Sequence, residues 1–161
     1  MPIARQRILR RILAQTAADV FTEAEISTGL FGVDTDALQI RSIHLRHQGL
    51  KVPADSVIQV SLSRRTKASG AAITDRDIIW QHTVEGEFVT AAGFAVSQTS
   101  IKEIYQPDDD NLDRLLVDDP LFVQLHSTGT GVVNILWIRI VAEIIKVSQL
   151  DRLTLISLAQ D

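Results

Sequence analysis

Apolar and polar residues alternate along most of this chain, which is typical of β-strands with one buried face. The alternation is clearest at residues 57 to 65, where Ile58, Val60 and Leu62 share one face. Further short runs, separated by turn-forming residues, lie at residues 20 to 28, 38 to 47, 78 to 84, 88 to 90, 94 to 105, 115 to 117 and 121 to 126. Many short strands joined by turns predict an all-β fold, an antiparallel β-sandwich.

In the strand predicted at residues 38 to 47, the apolar side chains switch from one face of the strand to the other. Leu38 and Ile40 are two residues apart and therefore share a face. The apolar pattern resumes at Ile43 with the opposite parity. One extra residue near Ser42 would account for the slip, so we predict a β-bulge or bend there.

The most apolar segment, residues 132 to 147, predicts the longest strand. Apolar residues occupy both parities, so we expect this strand to be central in its sheet or covered on both faces. Arg139 and Glu143 lie within it, and it is too short and too charged to span a membrane. Residues 127 to 131 contain two glycines and predict a hairpin-type connection from the strand at residues 121 to 126.

The N-terminal segment has a different spacing. Ile8 and Ile12 are four residues apart, as are Leu9 and Leu13, and this spacing places each pair on one face of a helix. Arginines fill the positions around them, at Arg5, Arg7, Arg10 and Arg11. The pattern predicts a short basic amphipathic helix or arm.

We therefore divide the chain into an arm or helix at residues 1 to 17 and a sandwich domain at residues 18 to 161. The arm either packs on the sandwich or reaches a neighbouring subunit or nucleic acid. Near the C-terminus, Leu150, Leu153 and Ile156 are spaced by three, which predicts a short helix with Ser148 as its N-cap. A final strand is the alternative.

Composition places the chain among globular proteins, with 45% apolar and 22% charged residues in 161. The absence of cysteine excludes disulfides and thiolate chemistry. The net charge of −4 argues against a surface that binds nucleic acid everywhere. A local basic patch could still meet phosphate or an acidic neighbour, although no aromatic residue is interleaved with it in the sequence; it comprises Arg41, His44, Arg46, His47 and Lys51.

No pattern of catalytic, cofactor-binding or metal-binding residues is visible. There is no Gly-x-Ser-x-Gly motif, and His44 and His47 are three apart, on opposite faces of a strand. His82 and His126 are isolated in the sequence. Two acidic clusters lie at residues 108 to 110 and at residues 118 to 119. The alternatives for them are acidic turns without a ligand and loops whose carboxylates bind calcium. We expect a protein that is not an enzyme and that carries no cofactor.

Three segments carry a resemblance to a known class of proteins. They are Ile58-Gln59-Val60-Ser61-Leu62-Ser63, Leu115-Leu116-Val117-Asp118-Asp119-Pro120-Leu121-Phe122-Val123, and Ser127-Thr128-Gly129-Thr130-Gly131 leading into residues 132 to 147. With the many short strands and the basic N-terminal segment, they resemble the single jelly-roll structural proteins of viruses and phages. Jelly rolls consist of eight antiparallel strands in two Greek keys.

The resemblance implies a capsid or cement subunit that associates with itself and with other virion proteins, assembled in the host cytoplasm and located in the virion. The candidate residues for assembly or nucleic-acid contact are Arg5, Arg7, Arg10, Arg11, Arg41 and Arg46. Deleting residues 1 to 15 should then leave the sandwich folded but weaken assembly. The alternatives are a carbohydrate- or protein-binding β-sandwich module and, third, an enzyme of an unrecognised β-fold.

Overall fold

The computed structural model describes residues 5–30, 36–47, 52–53, 56–69, 77–85, 94–95, 100–104, 115–117 and 119–158. Eleven strands and one helix follow in chain order: β1 Gln6–Ala14, β2 Thr22–Ile26, β3 Asp36–His47, β4 Val52–Pro53, β5 Val57–Ser63, β6 Ile78–Glu85, β7 Phe94–Ala95, β8 Ser100–Ile104, β9 Leu115–Leu116, β10 Leu121–Thr128, β11 Ile135–Lys146 and α1 Gln149–Leu158. The strand predicted at residues 88 to 90 lies outside the described residues.

The strands form two antiparallel sheets, which confirms the predicted all-β, sandwich-like fold. The larger sheet has the order β1-β11-β3-β8, with β9 also paired to β3. The smaller sheet has the order β2-β10-β5-β6, and β4 pairs with β7 separately. No helix in the described part of the chain is long and apolar enough to cross a membrane.

Alternating residues of the strands form the core. On β5, Ile58, Val60 and Leu62 are fully buried, as their spacing predicted. On β11, Leu136 and Ile140 are equally inaccessible. Each strand of a pleated sheet presents every second residue to one face, so these side chains all point between the sheets. Their burial supplies the main hydrophobic stabilisation of the fold.

The predicted bulge in β3 is confirmed. The pairing with β11 shifts register between Val141, which faces Ser42, and Ala142, which faces Ile40. Arg41 is the extra residue, and the Nε and Nη2 atoms of its guanidinium donate hydrogen bonds to Oε2 of Glu143 at 2.9 and 2.7 Å. The bulge therefore keeps apolar side chains on the inner face on both sides of the slip.

The predicted N-terminal helix is wrong, because those residues form strand β1. It pairs with β11 along its whole length, from Gln6 opposite Glu143 to Ala14 opposite Ile135. A separation of four is even, so it puts two side chains on the same side of a strand as well as of a helix. The edge of β11 has backbone groups that need hydrogen-bond partners, and pairing with β1 supplies them.

The burial of β1 changes the expected effect of removing it. Leu9 and Leu13 are only 8% and 1% exposed and belong to the core. Ile8 and Ile12, on the opposite face of the strand, are 46% and 63% exposed. Deleting residues 1 to 15 would remove a sheet strand and part of the core, so we expect this deletion to destabilise the sandwich rather than leave it folded.

The predicted hairpin at residues 127 to 131 is also wrong, because β10 and β11 belong to different sheets. The chain crosses between the sheets there, with Gly129 and Gly131 in the left-handed region at φ of 72° and 63°. Hairpin and crossover both need glycine at such positions, so the glycines alone do not distinguish them. We call the crossover, residues 129–134, the arch.

Buried polar side chains hold the arch in place. Oε1 of Gln15, which follows β1, accepts hydrogen bonds from the backbone and side-chain nitrogens of Asn134 at 3.0 and 2.9 Å. Oδ1 of Asp19 accepts hydrogen bonds from N and Oγ1 of Thr130 at 3.0 and 2.7 Å. Burial acts to raise the pKa of Asp19, but hydrogen bonds from Thr130, Gly131 and Ser127 outweigh it and lower the pKa.

The position of β11 agrees only in part with its prediction. It is central, between β1 and β3, but it begins at Ile135, and Val132 and Val133 before it are about half-exposed. Its inner face is buried, whereas on the outer face Arg139 is exposed. Of the two alternatives, the structure therefore has the central position, and its described outer face is not fully covered.

The predicted C-terminal helix is confirmed as α1. Ser148 is its N-cap, and its Oγ accepts a hydrogen bond from the backbone nitrogen of Asp151 at 3.1 Å. Asp151 also lies in the first turn, where a negative charge is favourable to the helix dipole. Leu150 and Leu153 are 73% and 64% exposed.

Truncating a side chain on each face of β1 tests its place in the sheet. We expect Leu13→Ala to lower the free energy of unfolding by about 2–5 kcal/mol, because it opens a cavity in the core. Ile12→Ala, one residue away on the exposed face, should change it by less than about 1 kcal/mol. Urea denaturation measures both, and equal effects of the two substitutions would contradict the pairing of β1 with β11.

Candidate functional site

Three adjacent cross-strand rows lie on the outer face of the larger sheet, each with one residue from β1, β11 and β3; beyond the bulge the face continues with the row Gln6–Glu143–Gln39. The three rows are Ile8–Val141–Ser42, Arg10–Arg139–His44 and Ile12–Trp137–Arg46. They alternate along the strands with the core residues and therefore point away from the core. We call this surface the basic face.

The middle row places cationic side chains next to one another. Arg10 lies directly opposite Arg139, and Arg139 lies opposite His44 on the other side. Both arginines are exposed, and neither has a carboxylate partner in the part of the chain that the structure describes. Like charges at directly opposed positions are destabilising. An anion bound from outside would relieve that repulsion.

The third row supplies an aromatic surface. The guanidinium carbon of Arg46 lies 5.2 Å from the centroid of the Trp137 ring, a cation–π contact. Ile12 lies opposite Trp137 on the other side and is 63% exposed. The aromatic residue that is missing around Arg46 in the sequence is therefore supplied by another strand.

The structure brings only part of the predicted contact set together. Arg10 and Arg46 lie on the basic face, whereas Arg41 is neutralised at the bulge by Glu143. Nη1 of Arg7 donates a hydrogen bond to the backbone oxygen of Thr28 at 2.6 Å, so Arg7 ties β1 to the chain after β2.

The remaining two predicted arginines lie elsewhere. Arg5 precedes β1, and Arg11 is adjacent to Arg10 and so points to the other side of the strand. Two further residues of the basic face, Arg139 and Trp137, were not among the predicted contact residues. Their spacing of two residues already placed them on the same face of the late strand. The sequence did not show that β1 and β3 lie on either side of that strand.

A second group of interest is His47, at the end of β3. It is 3% exposed, and neither ring nitrogen has a hydrogen-bond partner among the described residues. Burial, together with the nearby His82 of β6, lowers the pKa of His47 to about 4. The predicted opposite facing of His44 and His47 agrees with the pairing, but His82, isolated in the sequence, comes close to His47 from the other sheet.

The acidic turn before β10 has a structural role. Oδ1 of Asp119 accepts hydrogen bonds from N and Oγ1 of Thr28 at 2.6 and 3.1 Å. These contacts join the end of β2 to the start of β10. Asp118 and residues 108 to 110 lie outside the described residues, and within the described ones no group of three or more His, Asp or Glu could hold a metal ion.

On the outer face of the smaller sheet, polar side chains form a hydrogen-bonded network around Gln124, although Oε1 of Gln81 on the same face has no hydrogen-bond partner among the described residues. Gln124, 1% exposed, accepts a hydrogen bond from Ser61 at 2.7 Å and donates to Ser63 and Glu23, both at 2.8 Å. The Glu23 carboxylate also binds the backbone nitrogen of Lys67 at 2.8 Å. A network with its donors and acceptors paired in this way stabilises the fold and leaves little for a ligand.

Comparison with known proteins found no family model and no curated protein that matches this chain.

The buried His47 predicts that acid destabilises the fold. The unfolded state takes up a proton near pH 6.5 and the folded state only near pH 4, so stability falls as the pH decreases through this interval. The loss should reach about 3 kcal/mol at the acid end. We expect His47→Leu to flatten the pH dependence of the unfolding free energy over this range.

The partly exposed His126 provides the control, and His126→Leu should leave the slope near that of the wild type. Urea denaturation at a series of pH values measures all three proteins. A His47→Leu protein with the wild-type slope would show that another group causes the acid sensitivity.

Proposed function

We propose that this chain is a jelly-roll subunit that works by self-association in the shell of a virus or phage particle, as a capsid or cement protein. The role is non-catalytic, and its partners are further copies and other virion proteins. The observation that carries the proposal is the order in which the strands pair.

A jelly roll can be described as a long antiparallel hairpin of eight strands that is rolled into two sheets. The first strand pairs with the eighth, the second with the seventh, the third with the sixth and the fourth with the fifth. Taking the eight main strands as β1, β2, β3, β5, β6, β8, β10 and β11, the corresponding pairs are β1–β11, β2–β10, β3–β8 and β5–β6. All four are antiparallel pairs of this structure.

Rolling the hairpin adds two more pairs, the eighth strand beside the third and the seventh beside the fourth. Here β11 pairs with β3 and β10 with β5, again antiparallel. The arch belongs to the same scheme, because the seventh and eighth strands lie in different sheets. These six pairings together support a jelly roll over other ways of arranging a β-sandwich.

Exposed apolar side chains support self-association. Leu150 and Leu153 of α1 are the most exposed large apolar side chains in the described structure, and Val132 and Val133 at the arch are about half-exposed. Apolar groups left in water at several places are typical of surfaces that are covered in an assembly. The outer edge of β1 has no strand partner among the described residues. A strand of another chain can pair with such an unpaired edge.

A protein-binding module is the second candidate, favoured by the exposed Ile12 next to Trp137 on the basic face. Such a module would remain monomeric without its partner. The oligomeric state therefore separates the two functions.

The proposed function predicts a multimer that depends on α1. We expect the nuclease-treated protein to form multimers or particles in light scattering and electron microscopy. Leu150→Asp with Leu153→Asp should weaken the multimer about a hundredfold or more, because burying each leucine contributes about 2 kcal/mol. Both side chains are largely in water, so the subunit itself should stay folded.

Gln149→Asp with Thr154→Asp is the matched control, since it adds the same charge to exposed positions of the same helix. It should leave assembly nearly unchanged. A wild-type protein that is monomeric at every concentration would refute self-association, and equal loss in both double variants would refute the contact through the leucines.

A further inference from the structure

We propose that the basic face binds single-stranded nucleic acid, with Arg10, Arg139 and Arg46 on the phosphates and Trp137 providing a surface for a base. This activity does not depend on self-association. It rests on the charge of the rows, on their spacing and on the position of the aromatic ring.

The charge of this face runs against that of the whole chain. The protein carries a net charge of −4, yet the three rows contain three arginines and no carboxylate. Glu143, the outward-facing carboxylate further along β11, is already paired with Arg41. The positive potential of the rows is therefore uncompensated by the described residues around them, and an anion is the ligand that complements it.

The arrangement favours a chain of anions over a single one. Neighbouring strands are about 4.8 Å apart, so the middle row places Arg10 and Arg139 side by side on two strands, and Arg46 lies in the next row on a third strand. One carboxylate could neutralise only part of the row. A phosphodiester backbone carries one negative charge per nucleotide, and guanidinium groups bind phosphate through paired hydrogen bonds.

The ring beside the row distinguishes nucleic acid from an acidic peptide. Trp137 is half-buried in the sheet surface, next to Arg139 along the same face, and Arg46 lies over its ring at 5.2 Å. Unpaired bases stack on aromatic rings and on guanidinium planes. A duplex keeps its bases stacked inside, so the aromatic group favours a single strand.

The test is fluorescence anisotropy with labelled oligo-dT and oligo-rU, and with a duplex of the same length for comparison. We expect the single strands to bind more tightly than the duplex, with an affinity that falls as salt rises. Binding should also quench the fluorescence of Trp137, and Trp137→Leu should abolish that change, since the other tryptophan, Trp80, is buried in the core.

Three sets of variants locate the site. Arg10→Gln with Arg139→Gln should weaken binding tenfold or more and reduce the salt dependence, because two phosphate contacts are lost. Trp137→Leu should weaken binding about tenfold with the salt dependence unchanged. Arg5→Gln with Arg11→Gln is the control, because it removes the same amount of positive charge from positions that are not on the basic face. It should change affinity by less than about twofold. Circular dichroism confirms that each variant keeps its β-structure.

Several results would overturn the proposal. One is the absence of binding to either oligonucleotide at low salt. Another is an equal loss of affinity in the two double-arginine variants, which would indicate attraction to positive charge in general. A polyglutamate peptide that binds as tightly as the oligonucleotides without quenching Trp137 would assign the basic face to an acidic protein partner.

Discussion

The rest of the structure depends on the pairing of β11 with β1 on one side and β3 on the other. This central strand connects the first and last parts of the chain. Its inner residues, among them Leu136 and Ile140, complete the core, and its outer residues complete the basic face. Because successive side chains of a strand point to opposite sides, one set of backbone hydrogen bonds determines both surfaces at once.

The arch is the second constraint, because it sends the chain from one sheet to the other. Two residues of the arch, Thr130 and Asn134, are buried, and their polar groups need partners inside the protein. Gln15, Asn134 and Ser127 provide them near the end of β1, while Asp19 holds Thr130 from the next turn. These polar contacts thus fix the crossover between the end of β1 and the start of β11.

The functional proposals follow from what the fold leaves uncovered. Leucines of α1 and valines of the arch remain in water, as expected of a subunit that is completed by its neighbours. The basic face instead keeps opposed arginines without a carboxylate partner among the described residues, an arrangement that costs stability in the free protein. The two proposals, apolar contact and anion binding, therefore rest on different sets of exposed residues.

The sequence by itself determined the strand content, the inner face of β5, the bulge near Ser42 and the capped helix after Ser148, because these depend on local spacing and local hydrogen bonds. Only the tertiary structure decided that residues 6 to 14 are a strand, since a separation of four fits strand and helix alike. Spacing along the chain does not say which strands are neighbours. The tertiary pairing alone therefore placed Arg10, Arg139 and Arg46 on one face around Trp137.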